Sequence, residues 1–174
     1  MFIHDFVTIS EPVTAVERGL IGGGSALLEP LAWAAELDLA SITESVPRPV
    51  EARCTTRITI GARRERDDTL VIPLRWDDGF GPSGGHSIEG ELEIAPLTSR
   101  STQVTLNATY SLYTLRRGTR QEALRGHRAV QVAVRTFLMR LAVTLERAAA
   151  ITDGRPRPEQ STAESIARAE RDDP

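Results

Sequence analysis

The sequence of 174 residues contains no lysine, so all 21 of its basic residues are arginines. This absence excludes phosphate-binding loops and Schiff-base chemistry that depend on a lysine. The one cysteine, Cys54, cannot form an internal disulfide, and no two of its histidines and cysteine have the spacing of a zinc motif. We therefore expect neither a metal nor a cofactor.

An excess of positive charge and a long apolar run are also missing. The formal net charge is -3, which disfavours nucleic-acid binding because phosphate backbones attract a basic surface. Hydrophobic residues make up 40% of the chain but are interrupted by charges, so no membrane span is predicted. Residues 1–12 include charged side chains and lack the pattern of a signal peptide, which makes the cytoplasm the expected location.

The length and the hydrophobic periodicity predict one domain over residues 1–150 and a flexible charged tail over residues 151–174. The domain begins with a predicted strand over residues 2–9. Two short helices follow, over residues 12–20 and 25–39, and are separated by three consecutive glycines.

The central part of the chain has a period of two residues, which is typical of half-buried strands. Its apolar residues predict four strands, over residues 52–60, 70–76, 88–94 and 104–112. Because short turns join them, they form an antiparallel meander with one buried face. The last predicted element is a long amphipathic helix over residues 119–149, with Val134 and Leu138 on its apolar side.

The order of these elements resembles the helix-grip fold of the START-like (SRPBCC) superfamily, and so does the local sequence FVTISEPVTAV at residues 6–16. The resemblance covers about residues 2–149. It implies an α+β fold in which a curved antiparallel sheet wraps around the long C-terminal helix, with an elongated apolar cavity between them. Members commonly have six or seven strands, so a further, broken strand is expected within residues 44–64.

The pairing of the predicted strands indicates where a polar site lies. Symmetric hairpins pair Ile58 with Ile72, Leu74 with Ile88, and Leu92 with Val104. The same register aligns the following residues in one row of the buried face: Cys54, Trp76, His86 and Tyr110. His127 lies about 11 Å into the long helix, which runs back over this row. The predicted ligand-binding residues are Cys54, Ile58, Ile72, Leu74, Trp76, His86, Leu106, Tyr110, His127, Val134 and Leu138.

The superfamily includes lipid-transfer domains and polyketide cyclases, so the resemblance implies several functions. The preferred one is binding of a hydrophobic, lipid- or polyketide-like molecule whose oxygen is oriented by His86, Tyr110 and His127 while Trp76 stacks on its body. In a second hypothesis, an enzyme of the polyketide cyclase/dehydrase type uses the same histidines and tyrosine as acid–base groups. In a third, the protein is a non-catalytic interaction module.

Two features of the sequence have alternative interpretations. The histidine of the long helix, His127, is either a group that orients a ligand or a core residue whose hydrogen bonds are made within the protein. The glycine-rich loop over residues 77–85, which includes Phe80, is either a plain connection or a gate over the cavity. The ligand and the oligomeric state stay open.

Overall fold

The computed structural model describes residues 1–42, 56–77, 86–112 and 120–152. Along the chain the elements are β1 (Phe2–Ile9), α1 (Val13–Ile42), β2 (Arg57–Ile60), β3 (Arg64–Arg66), β4 (Thr69–Asp77), β5 (His86–Thr98), β6 (Ser101–Leu112) and α2 (Arg120–Thr152). Within the described ranges the strands form one antiparallel sheet in the order β1-β6-β5-β4-β2, and β3 pairs with β4. This confirms the predicted α+β helix-grip arrangement.

Helix α1 consists of two segments joined at Gly24. Gly24 has φ 51° and ψ -143°, a conformation that glycine adopts without the steric cost of a side chain. The break falls within the three glycines at which the sequence predicted it. Each segment buries apolar residues, Val16 and Leu20 in the first and Leu28 and Ala32 in the second.

The meander contains one strand more than the sequence predicted from periodicity. The extra strand is β3, which begins at Arg64, the last residue of the span where a broken strand was expected, and continues beyond it. It is joined to β4 by Asp67 and Asp68, whose φ values of 46° and 61° match the positive φ of a two-residue hairpin turn. The expected strand over residues 52–60 is observed as β2, and the remainder of that prediction, at residues 52–55, lies outside the described residues.

The strand register differs from the prediction, but the buried face does not. The observed pairs are Ile58 with Trp76, Leu74 with Gly90, and Leu92 with Leu106. Each predicted pair was therefore wrong by two or four residues. An even slip returns every side chain to the same face, so those predicted inner-face residues whose side chains the structure describes are still there.

The hairpin between β5 and β6 shows why symmetric closure failed. β5 continues to Thr98, and a two-residue turn leads to its partner Ser101. A bulge between Pro96 and Thr98 takes back one residue of the shift, so the pairs beyond it differ from the prediction by two residues. The sequence pattern ended this strand at Ile94, so it placed the turn too early.

Edge strand β1 is connected to α2 by a polar contact. Arg135 of α2 donates from Nη1 to Asp5 Oδ1 at 3.0 Å and to the backbone carbonyl of Phe6 at 2.6 Å. His4 lies on the exposed outer face, where its Nδ1 is 2.6 Å from Asn107 Oδ1. The contacts of Arg135 partly satisfy a strand edge that would otherwise be open.

The core lies between the inner face of the sheet and the two helices. Phe137 of α2 packs against Trp76 of β4 with ring centroids 5.3 Å apart and planes tilted by 49°. Leu138 and Leu141 of the same helix are fully buried. In the part of the chain that is described, neither helix is long and apolar enough to cross a membrane.

Replacing Leu138 by alanine tests this packing. Leu138 is completely buried, so we expect Leu138→Ala to lower the free energy of unfolding by about 2–5 kcal/mol, measured by urea denaturation. The neighbouring Met139 is 53% exposed, and Met139→Ala is the matched control, expected to change it by less than about 0.5 kcal/mol. Equal effects of the two substitutions would contradict the assigned face of α2.

Candidate functional site

The tyrosine near the end of β6, Tyr110, meets His127 of α2. The Tyr110 hydroxyl is within hydrogen-bond contact of His127 Nδ1, and it lies 2.8 Å from Met1 Sδ. The two rings are stacked, with centroids 5.6 Å apart and planes 18° from parallel. Two residues that are 17 positions apart in sequence therefore form one polar pair between the sheet and the helix.

The two residues of this pair differ in their exposure to solvent. Tyr110 is buried, whereas His127 is half-buried. Burial raises the pKa of Tyr110 above its ordinary value of 10.0, because removal from water disfavours the phenolate. At neutral pH the phenol is therefore protonated, and it is able to donate its proton to the imidazole or to a ligand oxygen.

The row of the inner face that contains Tyr110 is not the one predicted. It runs from Ile58 through Trp76 and Ile88 to Tyr110. Trp76 and Tyr110 share a row as expected, but Ile88 occupies the place that the sequence assigned to His86. The backbone of His86 pairs with Leu112, one inner-face position further along. The reason is the two-residue shift of both hairpins that involve β5.

Two of the predicted site features lie outside the described residues. Cys54 is one of them, and the structure places Ile58 opposite Trp76 where the sequence placed the cysteine. The loop residues 78–85, with the proposed gate residue Phe80, are the other.

The apolar residues predicted to line a cavity all lie in the buried core. They share one cluster between the sheet and α2: Ile58, Ile72, Leu74, Trp76, Leu106, Val134 and Leu138. Five of them lie on the inner face of the sheet, and Val134 and Leu138 lie on the side of α2 that packs against it. Their role in binding a ligand stays a prediction. The cavity itself stays a prediction.

A buried carboxylate, which the sequence did not single out, fixes Trp76. The indole Nε1 of Trp76 donates to Glu36 Oε1 at 2.7 Å, and the Thr56 hydroxyl donates to Glu36 Oε2 at 2.7 Å. Glu36 is only 3% exposed, and a buried charge is tolerated when hydrogen bonds compensate its lost hydration. The carboxylate thus connects α1 to β4 and to the start of β2.

One sequence signal for Glu36 exists. It lies four and eight residues after Ala32 and Leu28, which puts it on the buried side of α1. A glutamate at this spacing among apolar residues indicates a buried partner, but the partner is on a strand 40 positions away. Trp76 was predicted to stack on a ligand; the observed ring contacts Phe137, and its N–H is bound by Glu36.

The described residues contain no group of three or more side chains that could bind a metal ion. The polar groups described above are the phenol of Tyr110, the imidazole of His127, the indole of Trp76 and the carboxyl group of Glu36. Such groups bind and orient an oxygen-bearing molecule, or transfer protons to it.

Comparisons with known proteins concern the fold alone. No family model matches the chain, and no curated protein matches it in sequence. Solved structures with a similar fold include the TTHA0849 protein of Thermus thermophilus, at 14% identity over 85% of this chain and 99% of that chain, with a TM-score of 0.41. Another is the di-domain ARO/CYC protein StfQ of the steffimycin biosynthetic pathway, at 14% identity over 83% of this chain and 45% of that chain, with a TM-score of 0.32. A third is the ZhuI aromatase/cyclase from Streptomyces sp. R1128, at 14% identity over 86% of this chain and 90% of that chain, with a TM-score of 0.25.

The titration of Tyr110 tests the burial of its hydroxyl. The chain has two tyrosines, so Tyr113→Phe leaves Tyr110 as the reporter. We expect its phenolate absorbance to appear with a midpoint above 10.0. Because the folded state retains the proton that the unfolded state loses, stability should fall as pH rises above that value. A midpoint at or below the ordinary value would contradict the buried position.

Substitution of Glu36 tests its contact with Trp76. Glu36→Gln retains an oxygen acceptor, whereas Glu36→Leu leaves the buried indole N–H without one. We expect Glu36→Leu to be less stable than Glu36→Gln by about 1–3 kcal/mol in urea denaturation. In a Trp76→Phe background, which removes the donor, this difference should shrink. A difference that is unchanged in that background would contradict the contact.

Proposed function

We propose that the protein binds a hydrophobic small molecule, lipid- or polyketide-like, between the inner face of the sheet and α2. The observation that carries this proposal is the contact between Tyr110 and His127 at one end of a mainly apolar interior. A ligand with an apolar body and one oxygen fits this distribution of polarity, since its oxygen needs a partner where its body is desolvated.

The position of the polar pair supports binding at this end of the sheet. Tyr110 lies near the last residue of β6, and the half-buried His127 lies in the early part of α2. The neighbouring row of the inner face contains Gly90 and Ala108, the smallest residues of β5 and β6. They pack closely, because a Cβ added at Gly90 would lie 2.5 Å from the Cβ of Ala108, so their small size leaves no gap between the two strands. We place the apolar body of the ligand along the inner face beyond Tyr110.

A specific observation also favours a second function, that of an acid–base enzyme. Tyr110 is protonated at neutral pH and is in contact with an imidazole, which is an arrangement able to deliver a proton to a substrate oxygen and to take it back. A polyketide-like substrate has carbonyl oxygens suited to such transfer. The binding proposal needs only that these groups orient the ligand.

The binding proposal is tested with cis-parinaric acid, a fluorescent fatty acid, as the probe. We expect saturable binding to the full chain, and Tyr110→Phe and His127→Gln should each weaken it by about three- to tenfold, the loss of one hydrogen bond. Arg128→Gln, an exposed neighbour of His127 on α2, is the matched control and should leave the affinity within about twofold.

Native mass spectrometry of the purified protein provides a second readout. A co-purifying apolar molecule that is lost in the Tyr110→Phe variant would support the proposal. The proposal is wrong if the probe shows no saturable binding and no molecule co-purifies. It is also wrong if both variants bind the probe as the control does.

A further inference from the structure

A groove separate from the Tyr110 and His127 pair lies between the second segment of α1 and the start of β2. It has a volume of about 340 Å³, and its lining consists of Ala26, Glu29, Pro30, Trp33 and Thr56. The four helical residues lie three and four positions apart, so they form one face of α1. The volume lies within the range of small-molecule sites.

The polar atoms of this groove are mainly hydrogen-bond acceptors. The Glu29 carboxylate accepts the backbone N–H of Ile58 through Oε1 at 3.2 Å, which fixes its position while Oε2 is left to a ligand. Pro30 has no N–H, so the Ala26 carbonyl lacks the donor that an α-helix ordinarily supplies from that position. The Thr56 hydroxyl donates its hydrogen bond to Glu36, so the lone pairs of the Thr56 oxygen remain as acceptors.

An exposed aromatic ring and nearby acidic residues accompany these hydrogen-bond acceptors. Trp33 is 44% exposed, so part of its ring is accessible to a ligand in the groove. Residues 19–42 contain three acidic residues and no arginine, so the formal charge of this part of the sequence is negative. Among the side chains that the structure describes, no arginine forms an ion pair with Glu29.

We propose that this groove binds a small organic cation, a guanidinium or alkylammonium group. The cation lies against the ring of Trp33 and donates hydrogen bonds to Glu29 and to the Ala26 carbonyl. A carboxylate beside an aromatic face satisfies both requirements of such a cation, charge neutralisation and contact with a π system. The site is independent of the proposed ligand between the sheet and α2.

Agmatine is the first probe, and its binding is followed through the fluorescence of Trp33 in a Trp76→Phe background, where Trp33 is the remaining tryptophan. We expect saturable binding that weakens at high salt. Glu29→Gln retains an acceptor for the Ile58 N–H and removes the charge, so it should weaken binding by about tenfold or more. Glu17→Gln makes the same charge change on the first segment of α1 and should leave the affinity within about twofold.

Two further probes identify the source of the cation and the need for charge. Binding of agmatine but not of N-acetyl-arginine methylamide assigns the groove to a free amine, and the reverse assigns it to an arginine of a partner chain. Butanol, a neutral probe, should not bind. The proposal is overturned if neither cation binds, if butanol binds as well as agmatine, or if Glu29→Gln behaves like Glu17→Gln. Trp33→Leu, at an exposed position, should also weaken binding, and unchanged affinity there would exclude the aromatic contact.

Discussion

The apolar inner face of the antiparallel sheet must be removed from water, and the rest of the structure depends on how the helices cover it. Leu92, Leu106 and Ile94 are fully buried on that face, and α2 supplies Phe137 and Leu138 against it. Burial of such side chains is the main favourable contribution to folding. Because α2 has to cover this face, its early turns are placed above the end of β6, and His127 is brought to Tyr110 as a consequence.

This constraint also explains how much of the fold could be predicted. Alternation of apolar residues depends on the strand itself, so it identified the strands and their buried face without knowledge of the turns. The exact register depends on turn length and bulges, which alternation does not encode. The turn at Asp67 and Asp68 accompanies a shift of four residues in the pairs of β2 with β4. The turn after Thr98 and the one-residue bulge before it together shift the pairs of β5 with β6 by two residues. The faces were therefore predicted correctly, and the row of Tyr110 was predicted with His86 in place of Ile88.

The part of the candidate site that could be predicted is the part that lies near the ends of consecutive elements, β6 and α2. Tyr110 and His127 lie near the two ends of the same connection, so they come close once α2 packs over the inner face. Glu36 followed no such rule. Its place on the buried side of α1 was readable, but its partners Trp76 and Thr56 come from elements whose packing against α1 is a tertiary property. Periodicity within one helix does not contain that information.

The two polar contacts, of Glu36 with Trp76 and of Tyr110 with His127, have different consequences for a ligand. β4 and β6 are separated by one strand, so Trp76 and Tyr110 are roughly 10 Å apart across the sheet. Both oxygens of Glu36 already accept hydrogen bonds, and displacing them would leave a buried carboxylate poorly hydrated, which is costly. The Tyr110 hydroxyl contacts an imidazole that is half open to solvent, so exchanging that contact for a ligand oxygen costs less. Glu36 therefore serves to fix α1 on the sheet, and the end of the interior beside α2 is where a ligand oxygen is most readily accommodated.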